Sequence, residues 1–248
     1  MAIPLNELLN QPADPRAFIC FPLIPAHGLV LIAAQKGTYK SFMAINLAYD
    51  LAEGSPLFGI WKLDKPQSVL VIEQELGHHT LKTRLALLHG YRQGQYAPYN
   101  LWTVSKDLDC QLDTRHGIDT VMKHVLQAKA EVVVFDPFVW FHSQDEIDNT
   151  RIHSIIKTLQ ILGKQHNFAQ VIVHHMAKPS LVRSGNDVYS IRGASSLFGA
   201  ADTALTLVRN VPSRPELITV EITLRHDENP PPLQLTFDKD TSSFMKRS

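Results

Sequence analysis

The apolar positions of this chain fall into two alternating patterns. Residues 28–34, GLVLIAA, form a continuous apolar run. The next stretch, KSFMAINLAYDLAEG, reads as a helix and closes on Gly54, the residue type that most often ends one. SVLVIE (68–73), LWTVS (101–105), EVVVFD (131–136) and QVIVHH (170–175) repeat the strand pattern. LKTRLALLHG (81–90), residues 117–129 and residues 147–163 carry the helical one. In the last of these, Ile152, Ile155, Ile156, Leu159 and Leu162 recur at helical spacing. Continuous apolar strands separated by helices predict a mostly parallel sheet covered on both faces. Past residue 200 the helices stop. TALTLV (203–208), LITVEITL (217–224) and LQLTF (233–237) follow one another, with NPPPL (229–233) as the last turn. They predict an antiparallel extension at one sheet edge. No repeat, linker or low-complexity tract interrupts the pattern, so residues 1–248 read as a single α/β domain.

Composition narrows the classes. Hydrophobic residues make 44% of the 248, enough to bury a large core and to exclude whole-chain disorder. Lys+Arg and Asp+Glu are 24 each, so any nucleic-acid site must be local rather than a global basic field. Two cysteines, Cys20 and Cys110, exclude a disulfide scaffold and a four-cysteine zinc site. MAIPLNELLNQ lacks the basic and apolar regions of a signal peptide, and no run of about 18 apolar residues could span a membrane. A soluble cytoplasmic protein is the expectation.

The candidate chemistry sits at strand ends. In AAQKGTYKS (33–41), Lys40 and Ser41 fill the last two positions of the phosphate-loop pattern G-x-x-x-x-G-K-[ST]. Ala34 and Tyr39 replace its two glycines, and Gly37 supplies one permissive position inside. Such a loop needs inward backbone N–H groups, a helix N-terminus, a lysine for the phosphates and a hydroxyl for Mg²⁺. An ordinary strand-to-helix turn can also carry Lys-Ser. The reading gains from Asp136, which ends a buried strand where such enzymes place an acid beside the Mg²⁺ shell. Glu73 and Glu75 follow the second strand, and one carboxylate there could orient an attacking water. Glu75 is preferred, because side chains alternate and Glu73 can still lie within the sheet. His174 and His175 end another strand, where a polar side chain could sense a γ-phosphate. Neither that pair nor His78–His79 has zinc-ligand spacing.

AAQKGTYKS, VLVIEQELG, VVVFDPFVWFHSQDEIDN, VIVHHMAK and IRGASSLFGAAD together resemble, in order and spacing, the RepA-type hexameric helicases and related phage and plasmid ATPases of the RecA/DnaB-like P-loop group. The likeness covers residues 20–240. It implies a single RecA-like domain that binds ATP and Mg²⁺. Ala34, Gln35, Lys36, Gly37, Thr38, Tyr39, Lys40, Ser41 and Phe42 would form the nucleotide loop. Ser41 and Asp136 would hold the metal, Glu75 would be the catalytic glutamate, and His175 would couple the γ-phosphate to a DNA-binding loop at 176–191. Lys178 and Arg183 in that loop, with Arg192 beside it, would contact single-stranded DNA. Arg225, with Arg192 as second choice, would reach a neighbouring subunit's nucleotide. The implied partners are further copies of the chain, as a hexamer, and a replication initiator or primase to supply loading and priming. Three departures stand out: Ala34 and Tyr39 in the loop, Thr203 and Ala204 where some relatives carry an arginine, and no N-terminal helical or primase domain. Two rivals remain: a regulatory or scaffold nucleotide-binding protein with impaired hydrolysis, and a small-molecule P-loop transferase.

Overall fold

The computed structural model describes residues 2–10, 17–92, 98–106, 108–145, 148–176, 195–209, 211 and 213–246. α1 (Leu5–Asn10), β1 (Phe18–Cys20) and β2 (Ile24–Pro25) precede the main body. Then come β3 (Leu29–Gln35), α2 (Lys40–Glu53), β4 (Val69–Glu73), α3 (His78–Arg92), β5 (Leu101–Val104), α4 (Arg115–Ala128) and β6 (Val132–Asp136). A single 3₁₀ turn, Phe138–Phe141, leads to α5 (Asn149–His166), β7 (Ala169–Met176) and α6 (Ser195–Ala200). Four further strands follow: β8 (Thr203–Val208), β9 (Leu217–Leu224), β10 (Leu233–Asp238) and β11 (Ser243–Lys246).

Among the described residues, nine strands form one sheet in the order β11-β10-β9-β8-β3-β7-β6-β4-β5. From β8 to β5 every neighbouring pair is parallel. The apolar runs are continuous because both faces are covered. Val30, Ile32, Ala34, Val69, Val71, Val132 and Val134 enter the core that includes α2. Their alternates Leu29, Leu31, Ala33, Leu70, Ile72, Val133 and Phe135 enter the core that includes α4 and α5. Each large apolar side chain among them, fully buried, contributes about 1.5–3 kcal/mol, which is why no polar residue interrupts these strands before their C-terminal ends. No helix among the described residues is long and apolar enough to cross a membrane.

The expected strands and helices are present, with ends shifted by a few residues. The antiparallel extension is present: β8 pairs with β9 and β9 with β10, each antiparallel. β8 also joins it to the core by lying parallel to β3, with Val30 opposite Thr203. Apolar patterning does not reveal which neighbour is parallel, because β8 is buried on both faces either way. β11 was not anticipated. It pairs with β10 in a hairpin and is fastened to α2 by Asn46, whose Nδ2 donates to the Ser242 carbonyl at 2.9 Å.

Candidate functional site

The segment between β3 and α2 is four residues long, Lys36 to Tyr39. It turns back through two left-handed positions, Gly37 at φ 83° and Tyr39 at φ 59°. A Cβ on Gly37 would meet nothing within 4 Å among the described residues; its left-handed conformation is what favours glycine there. Tyr39 has no such freedom. A left-handed tyrosine costs about 1–2 kcal/mol, which surrounding contacts must offset. Its ring stacks on Phe237 of β10, centroids 4.2 Å apart, so its aromatic face already has a protein partner. Phe42 packs beside them, 4.7 Å from Phe237, with the Arg84 guanidinium 4.1 Å above its ring. Tyr39 forms no side-chain cap to α2, so the first N–H groups of that helix stay available to an anion.

Just inside this helix end the charged groups converge. Ser41 Oγ donates to Asp136 Oδ1 at 3.1 Å. Asp136 ends β6 and is 1% exposed. Burial lifts its carboxyl to about 7, with the Glu73 charge adding to the rise and Ser41 and Lys40 opposing it. Its other oxygen, Oδ2, is buried with no hydrogen-bond partner among the described residues. Lys40 is buried too, and desolvation pulls its ammonium below the ordinary value against the pull of Asp136 and Glu75. A buried carboxylate oxygen without a donor, beside a hydroxyl, fits a hard divalent cation such as Mg²⁺. Among the described residues no cluster of three His, Cys, Asp or Glu could hold a metal alone. Ser41 and Asp136 would therefore hold Mg²⁺ together with water and phosphate oxygens.

The two glutamates differ in their surroundings, because β4 ends at Glu73. Glu73 lies opposite Asp136 in the β4–β6 ladder and is 1% exposed. Its carboxylate accepts the backbone N–H of Glu75 at 2.9 Å and of Leu76 at 2.7 Å, and so shapes the turn after β4. Burial raises its carboxyl despite those bonds. Glu75 is exposed, with Oε2 3.9 Å from His175 Nε2. Register places His175 beside Ala34, one strand from the loop. Desolvation, then Lys40, lowers the His175 imidazole, while Glu75 opposes them. His174 points into the interior, where burial pushes it down to about 4.

Lys40, Ser41, Asp136, Glu75 and His175 thus meet at the C-terminal ends of β3, β6, β4 and β7, the side where open α/β sheets bind ligands. Arg225 does not join them. It follows β9, its N–H bonds the Asp202 carbonyl, and its guanidinium bonds the Gly199 carbonyl, at the opposite end of the sheet. Lys178, Arg183 and Arg192, with the rest of 177–194, lie outside the described residues. Sequence reasoning missed Arg84, whose charge faces Asp136, Glu73 and Glu75. It also missed Arg209, beyond β8, whose guanidinium bonds the Gly37 carbonyl. Neither sits in a motif: Arg84 precedes the apolar Leu85, Ala86 and Leu87, and Arg209 follows the apolar Leu207 and Val208.

The family model described as AAA domain matches residues 2–180. The chain belongs to this AAA domain family. No curated protein matches the sequence. The fold of this AAA domain protein is shared with a solved ATPase domain, at 15% identity and TM-score 0.67, over 90% of this chain and 85% of that one. It is also shared with a DnaB-like replicative helicase, solved to show its interactions with primase, at 14% identity and TM-score 0.68. That match covers 98% of this chain and 66% of the helicase. Mostly parallel, helix-flanked and antiparallel at one edge, this AAA domain protein has the RecA-like architecture.

Proposed function

We propose that this chain is an ATP-dependent ring motor acting on single-stranded DNA, a RepA-like helicase of plasmid or phage replication. The convergence of Lys40, Ser41, Asp136, Glu75 and His175 on one sheet edge carries the reading. ATP lies against residues 34–42, with its phosphates at the N-terminus of α2 and Lys40 neutralising their charge. Ser41 and Asp136 hold Mg²⁺, which when bound shields the phosphate oxygens. Glu75 orients a water for attack on the γ-phosphorus, and the bond to the β–γ bridging oxygen breaks. His175, beside Glu75, passes the state of the site along β7 toward Lys178, Arg183 and Arg192, which hold the DNA strand. Arg225 completes the site of a neighbouring copy in a hexamer, and a replication initiator or primase works with the ring.

A second reading keeps the nucleotide and drops the motor: a regulatory or scaffold protein with impaired hydrolysis. Tyr39 favours it, because a packed, left-handed tyrosine stands where a flexible glycine would. ATP turnover with and without single-stranded oligonucleotide separates the two. The motor reading expects DNA-stimulated turnover that Lys40→Ala removes while far-ultraviolet circular dichroism is unchanged. Tight ATP binding without turnover, indifferent to DNA, would select the regulatory reading.

A further inference from the structure

The nucleotide loop fills neither of its pattern's two glycine positions and has one glycine, Gly37, inside, yet it closes in four residues. Something outside the loop must hold Tyr39 left-handed. Two strands deliver that support. β8 runs parallel to β3 and ends at the same edge, which sets Arg209 just past Val208 and level with the loop. From there its guanidinium donates to the Gly37 carbonyl, its Nε donates to the Pro215 carbonyl at 3.0 Å, and its Cζ sits 5.0 Å from the Tyr39 ring centroid. β10 brings Phe237 to the same ring, and the Phe237 N–H is tied to the Glu216 carbonyl at 2.8 Å. The two left-handed residues of the loop are therefore the two that Arg209 touches: Gly37 through its carbonyl, Tyr39 through its ring.

We propose that Arg209 is a positioning residue for nucleotide binding: together with Phe237 it braces Gly37 and Tyr39 from outside and imposes the loop shape that a second glycine would otherwise permit. This rests on the reading of residues 34–42 as a phosphate site. The brace acts through the loop backbone, so its effect is on whatever the loop holds, which is phosphate. A planar fork is needed, because the Gly37 and Pro215 carbonyls are engaged from one side chain; a lysine ammonium on a flexible stem is a poor replacement.

The test compares binding of Mg-ATP and of inorganic tripolyphosphate to the full chain, by calorimetry, for wild type, Arg209→Ala, Arg209→Lys, Tyr39→Gly and the double variant Tyr39→Gly with Arg209→Ala. Arg209 is exposed, so the melting temperature of its variants should stay near wild type. Arg209→Ala should weaken both ligands by the same factor, about tenfold, the scale of one charge-assisted hydrogen bond. Arg209→Lys should recover only part. In the Tyr39→Gly background, where glycine adopts the left-handed conformation freely, removing Arg209 should cost clearly less than in wild type. Loss of ATP binding with tripolyphosphate spared would overturn the proposal and make Arg209 a direct contact to the nucleoside. An unchanged affinity for both, or equal losses in the two backgrounds, would also overturn it. Failure of wild type to bind either ligand would reject the phosphate-site reading itself.

Discussion

Glu73 and Glu75 are two residues apart and sit in opposite surroundings, one buried and one exposed. The Glu73 carboxylate is spent on two backbone N–H groups, and it is buried. Glu73→Ala should therefore destabilise by about 1–3 kcal/mol, the cost of leaving buried donors unmet, and lower the melting temperature. Glu75→Gln should leave the melting temperature unchanged and cut ATP turnover by about 10²-fold or more, the scale of a positioned acid–base group. If Glu73→Gln instead shows the turnover loss with intact stability, the assignment within the pair is reversed. Asp136 supplies a pH test. Its carboxyl is held at about 7 in the folded chain, above its value of about 4 when unfolded. The folded state binds the extra proton between those values. The stability Asp136 adds is thus fully present below about pH 4 and lost as pH rises through 7. His174, held down to about 4, contributes with the opposite sign over much of the same range, so wild type alone shows a mixture. The difference between Asp136→Asn and wild type isolates the carboxyl. In the absence of nucleotide, the melting temperature of the variant should gain on wild type as pH rises from 4 to 7. A constant difference would place the Asp136 carboxyl in the ordinary range.

α2 shows how one helix serves both core and site. Its N-terminal turn carries Lys40 and Ser41, and its body buries Met43, Ala44, Leu47, Ala48 and Leu51 against the sheet. It stops where expected, at Gly54, whose φ of 79° is left-handed and whose N–H bonds the Asp50 carbonyl at 2.9 Å. A Cβ there would also come within 2.9 Å of the Pro66 ring. Gly54→Ala should cost about 1–2 kcal/mol in the backbone, with a further loss as Pro66 shifts, read as a lower urea midpoint at unchanged slope. The stop was legible in the sequence because a helix C-terminus is a local matter of backbone conformation. Helix starts were less so. Thr114 caps α4 by accepting the Gly117 N–H at 3.0 Å, and the helix begins at Arg115, two residues before its apolar period shows.

Lys40 and Arg225 lie at opposite ends of the sheet's strands. Asp202, beside Arg225, accepts the N–H of Leu29 at the start of β3, whereas Lys40 follows the end of that strand. Seven residues of extended chain set the two ends roughly 20 Å apart. Arg225 therefore cannot serve its own nucleotide, and a head-to-tail ring is the arrangement in which it can serve another's. Arg225→Ala should keep nucleotide binding and lose turnover. Mixing Arg225→Ala with Lys40→Ala subunits should restore part of the turnover, because some interfaces then pair an intact loop with an intact arginine. A mixture no more active than its parts would place Arg225 outside any shared site. In the same assay, Lys178→Ala with Arg183→Ala should lower the ratio of DNA-stimulated to basal turnover.

Apolar patterning was enough for β3, β4 and β6, because a strand buried on both faces favours apolar residues throughout, and that demand is written in consecutive residues. Lys40, Ser41, Asp136, Glu75 and His175 were legible for a related reason: each breaks such a run, or follows it, at a strand's C-terminal end, so strand direction puts them on one edge. The burial of Glu73 followed from its place inside the apolar run of β4, with Glu75 beyond the strand's end. Its turn-forming bonds did not, because they depend on how the chain leaves β4. The pairing of β8 with β3 was decided by tertiary structure, since equal burial on both faces leaves no trace of which neighbour is parallel. That pairing in turn sets Arg209 against Gly37 and Tyr39, across 172 positions of sequence. Phe237 reaches Tyr39 by the same route, through β9 and β10, the next two strands beyond β8. Local propensity penalises a left-handed tyrosine; only contacts from distant strands offset that penalty, and such contacts have no local signature.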